Sequence, residues 1–502
     1  MAVPMTEKTR MMKDTLIYSA ANYISQFIGI FNSILMRRFL GPASMGMWGI
    51  FQVILDYAGQ ASLGTTRAMA RDYPFYRGKG DNEKAEAIKD TTVSFTMLMS
   101  IIPFAAILIY LSWNWSTLEA QFRYCLVFVL GFLFLQRFYD FIITLLRSDK
   151  KFKTLSIVII LNAALGILAT VAAVRYYGIY GLIWSSAGIM VLMTGFCMKR
   201  DGYCFRFRID RQVLVSELKL ALPLAAGAFL LTFLRGLDKM IIAKELGFYE
   251  VGIYSIAMMV ANYILSVPMM FSQVWFPNLQ QAFGRNNGDL QAVKHYLEKP
   301  LLGLAVLLPG LCAASFVVMP LLIHFCLQDF AQGIPVMRLY LLSLFFLMLG
   351  QFSFNFLVTA GRYWSIVPVL SFAILLNYLA ARYLVGRDWG LQGIAFATVA
   401  AYAFYGVGCL MLAMKQAMSF KERQKILIKS VLIYLVLFFF VIQIDSFFES
   451  FGLWQAASLK TVSYFVLFLL PAFWLDKETK VFSDFFKLIS DLLHRNKLKV
   501  QS

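Results

Sequence analysis

The chain has 502 residues, 60% of them hydrophobic and only 15% charged, with a formal net charge of +18 and a mean hydropathy of +0.68. Soluble domains carry about a quarter charged residues, so a soluble globular or disordered protein is excluded. The basic residues sit between apolar blocks, the positive-inside pattern of membrane topology, and no basic stripe interleaved with exposed aromatics suggests a nucleic-acid partner.

The apolar blocks run to about 20 residues, enough to cross a hydrocarbon core of about 30 Å. Backbone amides in that core must be bonded within their own segment, which makes each block a helix. The runs do not alternate, so a transmembrane barrel is excluded. The expected class is an all-α polytopic membrane protein with about 14 transmembrane helices.

In chain order, a polar leader (MAVPMTEKTRMMKD) enters the first block, which is longer than a signal-peptide core and reads as an uncleaved helix. The blocks are expected near 15–36, 44–66, 91–112, 122–146, 155–174, 179–198, 219–243, 249–272, 300–325, 334–358, 364–384, 390–414, 430–448 and 457–475. The second, seventh and tenth are the most polar. Segments 77–90 and 284–299 read as short surface helices. The tail places Val481, Phe485, Leu488, Ile489 and Leu492 on one face, suiting a helix that lies on the membrane surface. With the N-terminus cytoplasmic, the inner segments hold 34 Lys and Arg against nine outside. That asymmetry puts both termini in the cytoplasm.

The six cysteines are scattered without a CxxC, and the three histidines are far apart. Neither set has metal-ligand spacing, so no metal or other cofactor is expected. No loop exceeds about 25 residues, which is too short for a separate globular domain.

An internal repeat organises the chain. RRFLGPASMGMWGI (37–50) matches AKELGFYEVGIYSI (243–256), pairing Leu40–Gly41, Gly46, Trp48 and Ile50 with Leu246–Gly247, Gly252, Tyr254 and Ile256. Further on, GIYGLIW (178–184) matches GLQGIAF (390–396). Each first copy lies between helices 1 and 2 of a half and each second copy between helices 5 and 6. Two six-helix bundles (1–200 and 201–418) related by a parallel repeat are therefore expected. Two additional helices (419–476) and a cytoplasmic amphipathic tail (477–502) follow.

The run R-x-L-G-x-x-x-x-G-x-W at 38–48, the Gly-x-x-Gly turn at 178–181, and the segments LKLALPL (218–224) and DKMIIAKELGFYEVGIYSIA (238–257) resemble the polysaccharide (O-antigen type) flippases. Those belong to the multidrug/oligosaccharidyl-lipid/polysaccharide exporter superfamily. The resemblance implies two six-helix bundles facing across a central cavity. It also implies a bacterial inner-membrane transporter that moves an undecaprenyl-linked oligosaccharide to the outer leaflet by alternating access. The partners it implies are that lipid-linked substrate, membrane lipids and a coupling ion, proton or sodium, with the chain acting as a monomer.

Charges within a bilayer cost roughly 3 kcal/mol each on insertion scales and normally face a cavity or a partner. Arg137 and Asp140 are spaced i, i+3, and Arg235, Asp238 and Lys239 fall within about one turn of each other. These five are the candidate substrate-binding charges, with arginine suited to a diphosphate through its fixed fork of donors. They serve equally as a neutralised pair and as headgroup-level residues. Asn22 and Gln26, spaced i, i+4, offer donors to sugar hydroxyls or glue between helices. Asp56 lacks a local cation and is the candidate for coupling to an ion. Arg67 and Arg71 are candidates for a cytoplasmic entrance, while Arg37 and Arg38 fit headgroup contact at the outer surface.

Two other functions stay open. A cation-coupled drug exporter of the same superfamily would bind cationic substrates with carboxylates, whereas the embedded charges here include as many cations. A membrane-embedded glycan polymerase or glycosyltransferase needs acidic residues for base or metal work. The outer carboxylates Glu119, Glu245, Glu250, Asp388 and Glu449 are isolated along the chain, so an enzyme is not expected.

Overall fold

The computed structural model describes residues 7–415 and 417–479, and every regular element among them is helical. The order is α1 (Glu7–Gly59), a 3-10 turn (Gln60–Ser62), α2 (Thr65–Gly78), α3 (Asn82–Met99), α4 (Ile101–Asn114), α5 (Ala120–Ser148), α6 (Phe152–Ala169), a π-helical turn (Thr170–Val174) and α7 (Arg175–Asp201). It continues with α8 (Arg211–Glu245), α9 (Phe248–Arg285), α10 (His295–Cys326), α11 (Gly333–Leu342), α12 (Leu344–Thr359), α13 (Ile366–Val385), α14 (Gly390–Met414), α15 (Phe420–Phe447) and α16 (Leu453–Thr479).

Each of the fourteen expected blocks falls on helix. Ten stretches among the described residues are long and apolar enough to cross a membrane, and one of them, Phe152–Asp201, holds two expected blocks. α1, which carries the first two blocks, is not among the ten, and α16 contributes a shorter apolar stretch, Leu453–Leu469. Not only the second block but also the first is too polar, because one face of α1 lines a cavity rather than lipid.

Two surface helices expected from the sequence are corrected. Residues 77–90 form the end of α2, a turn capped by Asp81, which accepts from the Lys84 amide at 3.0 Å, and the first turns of α3. Residues 284–299 are the end of α9, a run of turns and the start of α10. From residue 480 on, the amphipathic tail lies outside the described residues.

By packing, the chain divides into two units, 1–255 and 256–502. The sequence boundary near 200 follows the repeat, whereas this boundary follows which helices touch.

In the first unit, an apolar core joins α2, α3, α5, α6, α7 and the start of α8 through Met69, Ile88, Phe141, Leu145, Val158 and Cys197. Beside it, Asp149 accepts from Arg77 and from the Tyr203 hydroxyl at 2.7 Å, with Lys151 at 3.7 Å. Asp210 caps α8, accepting from the amides of Gln212 and Val213 at 2.8 and 3.1 Å.

The repeat has a physical basis in this unit. Gly41 and Gly247 occupy equivalent places and both have positive φ, 69° and 97°, a conformation that costs a residue with a Cβ. Five residues on, Gly46 lies against the Phe248 carbonyl and Gly252 against the Pro42 carbonyl. Pro42 and Phe248 are themselves equivalent in the repeat. The two copies therefore touch reciprocally, and a Cβ on either glycine would collide with the other copy's backbone.

In the second unit, α12 and α13 pack along α14, and α10 packs against α15 and α16. The Tyr434 ring stacks on Phe345 at 4.4 Å, and its hydroxyl donates to the Leu342 carbonyl at 3.0 Å. Asp445 accepts from Lys460 and pairs with Arg338, each at 2.5 Å, and Arg338 also reaches Glu449 at 3.3 Å. This network ties α11, α15 and α16 together. Glu449, isolated in the sequence, is part of it. α15 begins with a capping box in which Ser419 and Glu422 satisfy each other's backbone amides.

Candidate functional site

The first unit holds three adjoining compartments of different chemistry. The largest polar one is a cavity of about 600 Å³. One wall is a stripe of α1: Tyr18, Asn22, Ser25, Gly29, Asn32 and Met36. Steps of four and three keep these residues on one helical face. The facing walls are Asn162, Gly166 and Thr170 from α6 and the π turn, Ser185 and Ser186 from α7, and Tyr139, Asp140 and Arg147 from α5. Trp48 and Gln52, beyond the Gly41 bend of α1, complete it.

Hydrogen bonds fix this lining. Thr170 donates to Asn32 Oδ1 at 2.6 Å, Asn162 donates to the Tyr139 hydroxyl at 3.2 Å, and Asn22 donates to the Tyr18 carbonyl at 2.8 Å. The π turn places Thr170 against Asn32, an irregularity of a kind often found at functional sites. Amides, hydroxyls and two or three aromatic faces around a roomy space suit neutral hydroxylated groups.

A second compartment of about 210 Å³ shares Asp140 with the first. Arg67, Thr96, Arg137 and Thr144 line it together with the chain reversal at Gly59–Gly64. Arg137 Nη2 pairs with Asp140 Oδ2 at 3.2 Å, and its side chain is 13% exposed against 51% for Asp140. Gly59 gives the guanidinium its room, since a Cβ there would overlap it. Arg137 Nε and Thr96 Oγ1 are buried and make no hydrogen bond. Buried donors normally find a partner, and neither of these has one from the protein.

A third compartment of about 620 Å³ shares Gln60 with the second and is apolar. Ile54, Ala58 and Ala61 form one side, Met99, Ile102, Pro103, Ala106 and Ile107 another, and Leu222, Ala225, Ala226 and Phe229 of α8 the third. α8 is held against α1 here by the Tyr57 hydroxyl, which donates to the Phe233 carbonyl at 3.0 Å.

The residues singled out from sequence divide accordingly. Arg137, Asp140 and Arg67 meet in the small compartment, and Asn22 lines the large one. Asp56 is exposed and lies within electrostatic reach of Lys239, Arg137 and Arg235, so the charges of α1, α5 and α8 form one field. Asp238 is fully buried and accepts from the Tyr254 hydroxyl at 3.1 Å. Gln26 lies off the lining stripe, because the cavity face runs through Ser25 and Gly29. Arg71 is 62% exposed and pairs with Asp72 at 2.7 Å. Arg37, expected among headgroups, is 7% exposed and donates to Ser33 Oγ at 2.5 Å and to the Ser255 carbonyl at 3.2 Å. The Gly41 bend turns it into the junction with the other repeat copy.

Asn32, Asn162, Thr170, Ser185 and Thr96 line these compartments without being among the candidates that the sequence offers. The stripe on α1 was available as a run of small and polar residues at alternating steps of four and three. The others are single polar residues in apolar helices, which look the same when they glue helices together. Glu217 was also passed over. It is 1% exposed at the start of α8, accepts from Thr92 Oγ1 at 3.1 Å, and burial pushes its carboxyl up to about 8.

A family model described as polysaccharide biosynthesis protein matches residues 35–329. A protein named putative O-antigen transporter, from Shigella flexneri, is 22% identical over 384 residues, covering 72% of this chain and 87% of that protein. Among solved structures, a multidrug resistance MATE family transporter of the MOP superfamily, in an inward-facing conformation, superposes with a TM-score of 0.63 at 15% identity. It covers 80% of this chain and 96% of that one. A MOP superfamily transporter from Pyrococcus furiosus, described as having a binding pocket of reverse polarity, gives 0.58 at 15% identity, covering 81% and 96%. The fold is thus the MATE-like one. With ten apolar spans among the described residues, the chain is a multi-pass protein of the inner membrane. It belongs to the family of polysaccharide biosynthesis proteins.

Proposed function

We propose that the chain is a flippase that carries a lipid-linked oligosaccharide from the cytoplasmic to the outer leaflet by alternating access, without a chemical step. The observation that carries this reading is the sharing of Asp140 between a cavity whose polar lining is mainly amides and hydroxyls, with Arg147 at its wall, and a small space holding Arg67 and Arg137. Sugar hydroxyls need many neutral donors and acceptors, and a diphosphate needs arginine. The two chemistries lie side by side in the order in which a glycosyl diphosphate presents them. The family and the relative named as an O-antigen transporter support the same substrate class.

On this reading the termini are cytoplasmic, the two six-helix bundles alternate in access, and a monomer suffices. Arg235 and Lys239, with Asp238 between them in the chain as a partial counter-charge, extend the positive field through which the headgroup passes. Asp56, in reach of three cations, is the coupling carboxylate for a proton or sodium ion. A multidrug exporter fits the fold equally, but the arginines of the small compartment disfavour a cationic drug there.

The test is complementation. Cells lacking the endogenous gene should regain surface glycan with the native chain and lose most of it with Arg137→Gln at equal expression. Full surface glycan in the Arg67→Gln/Arg137→Gln double variant would overturn the reading.

A further inference from the structure

The apolar groove beside the arginines has no part in binding a headgroup, yet it shares Gln60 with the compartment where one would sit. Its rim residues Ile102, Leu222 and Phe229 are 61, 46 and 42% exposed, so the groove opens outward along an apolar surface. At its far end Gln60 is shared with the compartment of Arg67 and Arg137, and Asp140 links that compartment to the polar cavity. From one compartment to the next the lining changes from hydrocarbon to cationic to mainly amide and hydroxyl.

We infer that this groove between the end of α1, α3–α4 and the start of α8 seats the isoprenoid chain of a polyprenyl diphosphate whose phosphates lie at Arg67 and Arg137. The inference rests on the flippase reading and adds where the lipid part of the substrate rides. Charge complementarity selects the occupant. An acyl chain of a bulk phospholipid would bring one phosphate, whereas Arg67, Arg137 Nε and the unpaired Thr96 hydroxyl offer donors to several phosphate oxygens. A hydrocarbon chain leaving the bilayer for an apolar groove gains little from the transfer, because lipid tails are as apolar as leucine. The groove therefore directs the chain, and the arginines supply the attraction.

The experiment follows position rather than affinity. The full chain, in phosphatidylcholine nanodiscs, is irradiated with a polyprenyl diphosphate bearing a diazirine on its isoprenoid chain, and labelled peptides are mapped. Labelling is expected on 99–107 and 222–229, displaced by unlabelled polyprenyl diphosphate. It should fall about tenfold in Arg67→Gln/Arg137→Gln, the loss of at least one charge-assisted contact. Arg137→Lys, which keeps the charge, should retain most of it and guards against misfolding of the glutamine variant. Ile102→Trp, at an exposed rim position, should reduce labelling of 222–229 while leaving the arginines in place. Equal labelling of the groove by a diazirine phosphatidylglycerol, insensitive to the arginines, would mean an ordinary lipid furrow and overturn the inference. Arginine-dependent labelling on other helices would overturn the groove while leaving the flippase reading standing. Arginine-independent labelling everywhere would count against both.

Discussion

Arg137 shows how a single glycine and a single carboxylate accommodate an embedded charge. Asp140 neutralises it across one helical turn, while Gly59 leaves space for the guanidinium to stay near a cavity that holds further unpaired donors. Gly59→Ala should push the guanidinium aside and reduce surface glycan severalfold without loss of expression, since the displaced group is the end of a flexible side chain. Glu217 behaves differently. Its buried carboxyl ionises only near pH 8, against an ordinary value of 4.5. Between those values the folded chain holds a proton that the unfolded chain has released, so stability falls as pH rises through that window. Glu217→Gln keeps the hydrogen bond to Thr92 and removes the titration. Its melting temperature should therefore vary less between pH 5 and 8 than that of the native chain; an unchanged slope would remove Glu217 from the pH response.

At the scale of elements, α1 and the repeat crossing dominate. The pairing of Gly46 with Gly252 was readable as a spacing, but its reason was not: each glycine meets the backbone carbonyl of the other copy, a fact only the fold supplies. Gly252→Ala should destabilise the protein by about 1–3 kcal/mol, read as a lower melting temperature in detergent, whereas Gly131→Ala, with nothing within 4 Å, should not. The helices themselves were legible because a bilayer enforces apolar length and internal backbone bonding. Helix 1 is the exception, since the polar residues that line a cavity weaken its hydropathy. The network around Asp445 was hidden, because Arg338, Asp445 and Lys460 are far apart in sequence and each looks like a boundary charge. Lys460→Met removes the buried one of the two cations on Asp445 and should lower the melting temperature. Asp445→Asn should be worse, leaving the buried Lys460 without its carboxylate while Arg338 keeps Glu449.

For the whole molecule, the sequence reaches the transporter class through composition, charge asymmetry and the repeat, and reaches Arg137 and Asp140 through the cost of embedded charge. It does not reach the order of the compartments, because the hydrogen-bonding, cationic and apolar linings come from α1 to α8 together and no single helix displays that order. The order is what favours a glycosylated polyprenyl diphosphate over a drug. The most direct measurement is made in proteoliposomes loaded with a polyprenyl-diphosphate oligosaccharide, following its exposure on the outer face with an impermeant glycosidase. The native chain should speed exposure well beyond protein-free vesicles, and Arg67→Gln/Arg137→Gln should slow it about tenfold. Exposure at the protein-free rate with the native chain, under both a proton and a sodium gradient, would contradict the account.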